Sequence, residues 1–218
     1  MIYIFDLDDT LYNERHYVES GLRAVASYVE STWGVNKEVG TKELITLLDK
    51  DGRGRIFNDY LAMHKIADTK SNVKACVSAY RLHKPSLTMP SAHLSLLNAL
   101  PSPLYLVTDG NKVVQSNKVD ALNIAPLFRR VFITHRFGVK HAKPSLYCFE
   151  KIKKAEKCEW RDMVYIGDNP SKDFVNLNKV GMPTIRVLTG VHKHVVAKPG
   201  YDAAHTINHL NELTSIKL

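Results

Sequence analysis

The sequence predicts an α/β protein: a doubly wound parallel sheet carrying an inserted helical segment. Three observations predict it. Short, nearly unbroken apolar runs occur at 2–5, 104–107, 163–166 and 184–187, with a weaker one at 131–134. Such runs read as strands buried on both faces. Amphipathic stretches alternate with the later runs, as crossover helices do. Finally, the first two runs are separated by a long stretch of helical pattern, far too large for one crossover helix.

In chain order, the run at 2–5 is the first strand. Residues 15–87 follow as a helical subdomain. Tyr17, Leu22, Val25, Ala26 and Val29 recur near helical spacing, as do Leu44, Leu47 and Leu48. Phe57, Leu61 and residues 63–66 continue the pattern, then 73–82. Pro85 and Pro90 mark the return to the core. Helices are expected at 113–122, 146–155 and 172–180, around the strands at 131–134 and 163–166. After the strand at 184–187 comes a loop from Gly190, a short edge strand near 203–207, and a last helix capped by Asn208. The predicted boundaries are 1–14 with 88–218 for the core and 15–87 for the insertion.

Ligands of open α/β sheets bind beyond the carboxyl ends of the strands. After the first strand stands Asp6-Leu7-Asp8-Asp9-Thr10, after the second Thr108-Asp109-Gly110-Asn111, and after the third Gly167-Asp168-Asn169, followed by Asp173. Lys143-Pro144 precedes a helix. Clustered carboxylates repel one another unless a cation sits among them. Mg²⁺ takes oxygen ligands, keeps several waters and uses one or two carboxylates with substrate phosphate, which suits Asp6 and Asp168. As residues i and i+2 of a strand end, Asp6 and Asp8 would face the same way. Such a pair divides labour: one carboxylate attacks phosphorus, and the other hands a proton to the leaving oxygen. Thr108 and Lys143 supply a hydroxyl and an ammonium for the remaining phosphate oxygens.

These four motifs, DLDDT at 6–10, the strand ending in Thr108, Lys143-Pro144, and GDNPSKD at 167–173, resemble those of the haloacid dehalogenase-like (HAD) superfamily, in the same order. The resemblance implies a Rossmann-like core with a helical cap inserted after the first motif. It implies that Asp6 is the nucleophile and that Asp8 is the general acid and base, with a backbone carbonyl that reaches Mg²⁺. Asp6, Asp8, Asp168 and Asp173 would then form the metal site. Thr108, Lys143 and the backbone amides of Asp109 and Gly110 would bind phosphate, and Thr10 would order the loop. Relatives that cleave carbon–halogen or carbon–phosphorus bonds lack the acid at the position of Asp8. Its presence therefore implies a Mg²⁺-dependent phosphomonoester phosphatase acting on a small sugar phosphate or nucleotide. A phosphomutase uses the same two acids and is the alternative within the superfamily.

A formal charge of +8 raises a rival from another class, a basic nucleic-acid-binding module. Its Lys and Arg are spread along the chain, however, and no nucleic-acid motif accompanies them. The run Lys151-Ile152-Lys153-Lys154 reads as a solvated helix face. Three Cys without C-x-x-C spacing read as reduced thiols of a cytoplasmic protein, and the ten His show no zinc spacing. No apolar run is long enough to span a membrane. Asp9 and Asp109 read as loop residues, Lys140 competes with Lys143, and Arg53 or Arg55 is a candidate for reaching an anionic substrate.

Overall fold

The computed structural model describes residues 1–216. Six strands form one parallel sheet: β1 (Ile2–Phe5), β2 (Leu104–Thr108), β3 (Arg130–Ile133), β4 (Met163–Gly167), β5 (Thr184–Val187) and β6 (His205–Ile207). Their spatial order is β3-β2-β1-β4-β5-β6, with parallel pairing throughout. The two central neighbours of β1, β2 and β4, are buried at every residue, which explains why these runs are apolar without alternation. Ile4, Tyr105, Val107 and Tyr165 pack with Phe132, Phe149, Ile152 and Phe174 into one core cluster. Each such side chain contributes about 1.5–3 kcal/mol by leaving water. Phe149 and Tyr165 meet edge to face, with centroids 5.1 Å apart.

Eight α-helices accompany the sheet among the described residues. The chain divides into two compact units, one of Met1–Glu14 with the residues from Leu87 on, the other Arg15–Ser86. The second unit is built from α1 (Glu14–Trp33), α2 (Lys37–Asp51), α3 (Ile56–Met63) and α4 (Lys70–Leu82). Val18, Leu22, Val25, Ala26 and Val29 form the buried stripe of α1 and pack on Leu44, Tyr60, Leu61 and Cys76. Asn36 caps α2 by accepting from the Glu38 and Val39 amides, and Thr69 caps α4. The pattern continued to residue 66, but α3 stops at Met63. Lys65 adopts φ +58°, and the Ile66 amide returns to the Leu61 carbonyl.

In the sheet unit α5 (Ser91–Ala99) was not foreseen. It is nine residues long and buries only Leu96 and Leu97, so its periodic signal is short. Then come α6 (Lys112–Leu122), α7 (Tyr147–Glu156) and α8 (Val175–Lys179). The expected helix at 172–180 begins three residues late, because residues 169–173 form a tight turn: the Asp173 amide donates to the Asn169 carbonyl, and the Asp173 carboxylate accepts from the Asn169 amide. The last helix is a 3₁₀ segment, Leu210–Ser215, and His209 rather than Asn208 caps it, paired reciprocally with Glu212. Lys151 is not simply solvated, since its amine lies 4.7 Å from the centroid of the Tyr147 ring.

Candidate active site

The three central strands β2, β1 and β4 end side by side, and their ends deliver Thr108, Asp6 and Asp168. Asp6 follows β1 directly; its amide donates to the Ile166 carbonyl at 2.8 Å, and its side chain is buried. The Lys143 amine lies 2.9 Å from Asp6 Oδ2 and 2.8 Å from Asp173 Oδ1, and donates to the Tyr165 hydroxyl at 2.8 Å. Lys140, the competing lysine, is exposed. Gly167 allows the Asp173 approach, since a Cβ there would stand 2.5 Å from Asp173 Oδ2.

Asp6, Asp168 and Asp173 bring ligand oxygens within 4.8 Å of one another, all three residues being buried. Burial pushes the Asp6 carboxyl up to about 6; Lys143 opposes the shift and Asp173 adds to it. Burial, then the charges of Asp6 and Asp173, push Asp168 up to about 9. Burial disfavours the Lys143 ammonium, but Asp173 and Asp6 outweigh it and hold the amine charged. Among the described residues, no hydrogen-bond donor and no cation contacts the Asp168 carboxylate. One ammonium cannot neutralise three carboxylates. The cluster thus offers buried, oxygen-only, under-compensated donors, a set that fits a divalent cation such as Mg²⁺. No histidine joins it.

Asp8 does not stand on a strand, as the sequence argument assumed. β1 ends at Phe5, so Asp6 and Asp8 are not i and i+2 of a strand; residue 8 instead forms an isolated bridge with Tyr12. Its Oδ1 accepts from the Lys118 amine at 2.7 Å and the Tyr12 hydroxyl at 2.8 Å, and its Oδ2 from Gln115 Nε2 at 2.9 Å. The cluster of metal-competent carboxylates does not include it. Its charge reaches Asp6 more weakly than those of Lys143, Asp173 and Lys172.

Thr108 is buried at the end of β2, and its Oγ1 accepts from Gln115 Nε2 at 2.5 Å, which leaves the hydroxyl proton to be donated. The Asp109 carboxylate holds the neighbouring loop. It accepts from the Lys143 amide at 3.1 and 3.2 Å and from the Thr134 hydroxyl, and Lys172 lies 3.6 Å away. Burial raises its proton affinity, but Lys143 and Lys172 outweigh burial and lower it. Gly110 follows at φ +140°. Asp9 is also a structural brace: its carboxylate accepts from the Glu14 and Val191 amides, and its carbonyl from the Thr189 hydroxyl. The Thr10 hydroxyl is buried without a hydrogen-bond partner, so it does not order the loop by a side-chain bond. Arg55 pairs with Asp59 and Asp68 inside the helical unit.

Gln115, Lys118, Tyr165, Thr134 and Lys172 were missed as site residues. Gln115 and Lys118 carried one usable signal. On a helical wheel they share a face with Val119 and Leu122, and a lysine on the buried face of a helix asks for an acidic partner.

The fold and this cluster define a hydrolase of the α/β type with a carboxylate-rich centre, and the chain belongs to the haloacid dehalogenase-like hydrolase family, which it matches over residues 1–180. It is 31% identical over 220 residues to a glyceraldehyde 3-phosphate phosphatase of Methanocaldococcus jannaschii, covering 98% of this chain and 95% of that one. A relative with the same name from Pyrococcus abyssi is 30% identical over 191 residues, covering 84% and 79%. Among solved structures, the HAD-hydrolase YfnB of Bacillus subtilis, bound to magnesium, superposes with a TM-score of 0.68 at 17% identity and covers 98% and 96% of the two chains. A 2-haloacid dehalogenase of Pseudomonas syringae gives 0.63 at 20%, also covering 98% and 96%. At these identities the two structures speak to the fold alone, which supports many chemistries.

Proposed function

We propose that the protein is a Mg²⁺-dependent phosphatase that hydrolyses a small sugar phosphate of triose phosphate size through an aspartyl-phosphate on Asp6. The observation that carries this reading is the buried Asp6 carboxylate, held at 2.9 Å by Lys143 and crowded by Asp168 and Asp173. The near full-length Methanocaldococcus jannaschii relative and the Pyrococcus abyssi one, both named glyceraldehyde 3-phosphate phosphatase, favour the triose phosphate class over nucleotides and over a mutase. The helical unit Arg15–Ser86 is assigned the role of substrate-selecting cap, and the three free cysteines accord with a cytoplasmic location.

In this reading an Asp6 carboxylate oxygen attacks phosphorus in line, the P–O bond to the sugar breaks, and Asp8 delivers the proton that the sugar oxygen needs. Asp8, now a carboxylate, takes a proton from water as the water oxygen attacks the aspartyl-phosphate; the Asp6–phosphorus bond breaks and inorganic phosphate leaves. The Thr108 hydroxyl, the Lys143 ammonium and the amides of Asp109 and Gly110 bind the non-bridging oxygens. Lys143 also keeps Asp6 ionised by charge pairing. Asp6, Asp168 and Asp173, with the Asp8 carbonyl, would hold Mg²⁺, whose charge offsets that of the phosphoryl group.

The test is phosphate release from glyceraldehyde 3-phosphate and a panel of sugar phosphates and nucleotides, with Mg²⁺ or chelator, beside Asp6→Asn. Release that requires both Mg²⁺ and Asp6 is expected. Cleavage of no ester, or an Asp6→Asn variant as active as the wild type, would contradict the reading.

A further inference from the structure

Outside the metal cluster, one buried charge lies on the inner face of α6, beside a buried amide. Lys118 is 2% exposed and Gln115 is 1% exposed, and they stand one helical turn apart on the same face. Both reach Asp8, from opposite sides of its carboxylate: Lys118 contacts Oδ1 at 2.7 Å, and Gln115 contacts Oδ2 at 2.9 Å. Neither is attached to Asp8 alone. The Lys118 amine also lies 3.0 Å from Glu14 Oε1, and the Gln115 amide nitrogen also donates to Thr108 Oγ1. The contacts on the two carboxylate oxygens fix both χ angles of Asp8. A buried ammonium is a poor device for stability, because its desolvation offsets the Coulombic gain. A methionine of similar length would fill the same space at lower cost, so packing alone does not account for a charge here.

From this geometry we infer that Gln115 and Lys118 are positioning residues that aim the Asp8 carboxyl at the leaving oxygen, with Glu14 anchoring the lysine and Thr108 anchoring the glutamine. The inference rests on the phosphatase reading and deepens it. Asp8 comes from a loop rather than a strand, so its direction is not set by its own backbone element. The face of α6 sets it instead, and ties the proton-transfer group to the phosphate-binding hydroxyl through a single amide nitrogen. A general acid that is present but misdirected loses most of its catalytic effect, which is about 10²–10⁴-fold when well placed.

The consequence is selective. An alkyl phosphate such as glyceraldehyde 3-phosphate expels an alkoxide that needs a proton. p-Nitrophenyl phosphate expels a phenolate that does not. Gln115→Met and Lys118→Met should therefore lower kcat/KM for the alkyl ester by at least about tenfold more than for the aryl ester. Retained aryl cleavage reports that Asp6, Lys143 and the metal cluster remain assembled. An alkyl-to-aryl ratio equal to wild type in Gln115→Met, which keeps every charge in place, would overturn the inference. So would loss of the fold in both variants, which would mark the pair as purely structural. If Lys118→Met alone fails to fold, the ratio in Gln115→Met decides. A wild type that cleaves neither ester is the separate result that removes the phosphatase reading itself.

Discussion

Asp168 bears the most unfavourable electrostatics in the site. It is buried, receives no donor among the described residues, and faces two other carboxylates, so its carboxyl is pushed from 3.8 up to about 9. A value raised in the folded state favours the protonated form. The stability this contributes is full below about pH 4 and is lost as pH rises through 9. With a chelator present, thermal stability should therefore fall between pH 5 and 9. Asp168→Asn, which removes the ionisation, should unfold at higher temperature than the wild type at pH 8, by about 2–4 °C for each kcal/mol relieved. Mg²⁺ should raise the wild-type Tm more than that of the variant. Equal response to Mg²⁺, or a variant less stable than the wild type at pH 8, would contradict this reading. At this scale the sequence was informative about identity and weak about direction. The carboxylates, Thr108 and Lys143 stand where strand ends and loops announce them. The direction of Asp8 was not legible, because the apolar run does not say whether the strand stops at Phe5 or continues to residue 8. Its partners lie 107 and 110 positions away.

The loops that follow β1 and β5 act together. Asp9, at φ +53°, receives the Val191 amide and the Thr189 hydroxyl, so the loop of the first motif is tied to residues 189–191. Gly190 sits at φ +59°, and a Cβ there would fall 2.0 Å from Asp9 Cγ. Gly190→Ala combines a disfavoured backbone region with a collision against a buried carboxylate. It should cost about 1–3 kcal/mol, read as a Tm lower by several degrees; an unchanged Tm would show that Asp9 yields without loss. Strands buried on both faces were easy to read, since their apolar runs have no competing interpretation. The helix ends and short helices were harder. Asp173 turns its carboxylate back onto the loop and delays α8, and the carboxyl-terminal segment tightens into 3₁₀ turns. Both depend on side-chain hydrogen bonds that periodicity does not carry.

Across the whole molecule, the order β3-β2-β1-β4-β5-β6 explains why chemistry gathers at one end of the sheet. The chain leaves β1 toward β2 on one side and reaches β4 on the other, so a crevice opens at the carboxyl end of β1. Residues from β1, β2 and β4, together with Lys143 and Asp173 from the loops, converge there. This convergence was legible in the sequence, because ligands of open α/β sheets bind beyond the carboxyl ends of the strands, where the motif residues stand. The substrate was not, because the helical unit's sequence speaks only to its own packing. The account as a whole depends on Asp6 forming a bond to phosphorus. The most direct measurement is a rapid acid quench during turnover of glyceraldehyde 3-phosphate, followed by mass spectrometry of the peptide that contains Asp6. We expect the mass of one phosphoryl group on Asp6 in the wild type and none in Asp6→Asn, which should also release no phosphate. Turnover at full rate with the group absent from Asp6, or carried on another residue, would contradict the account.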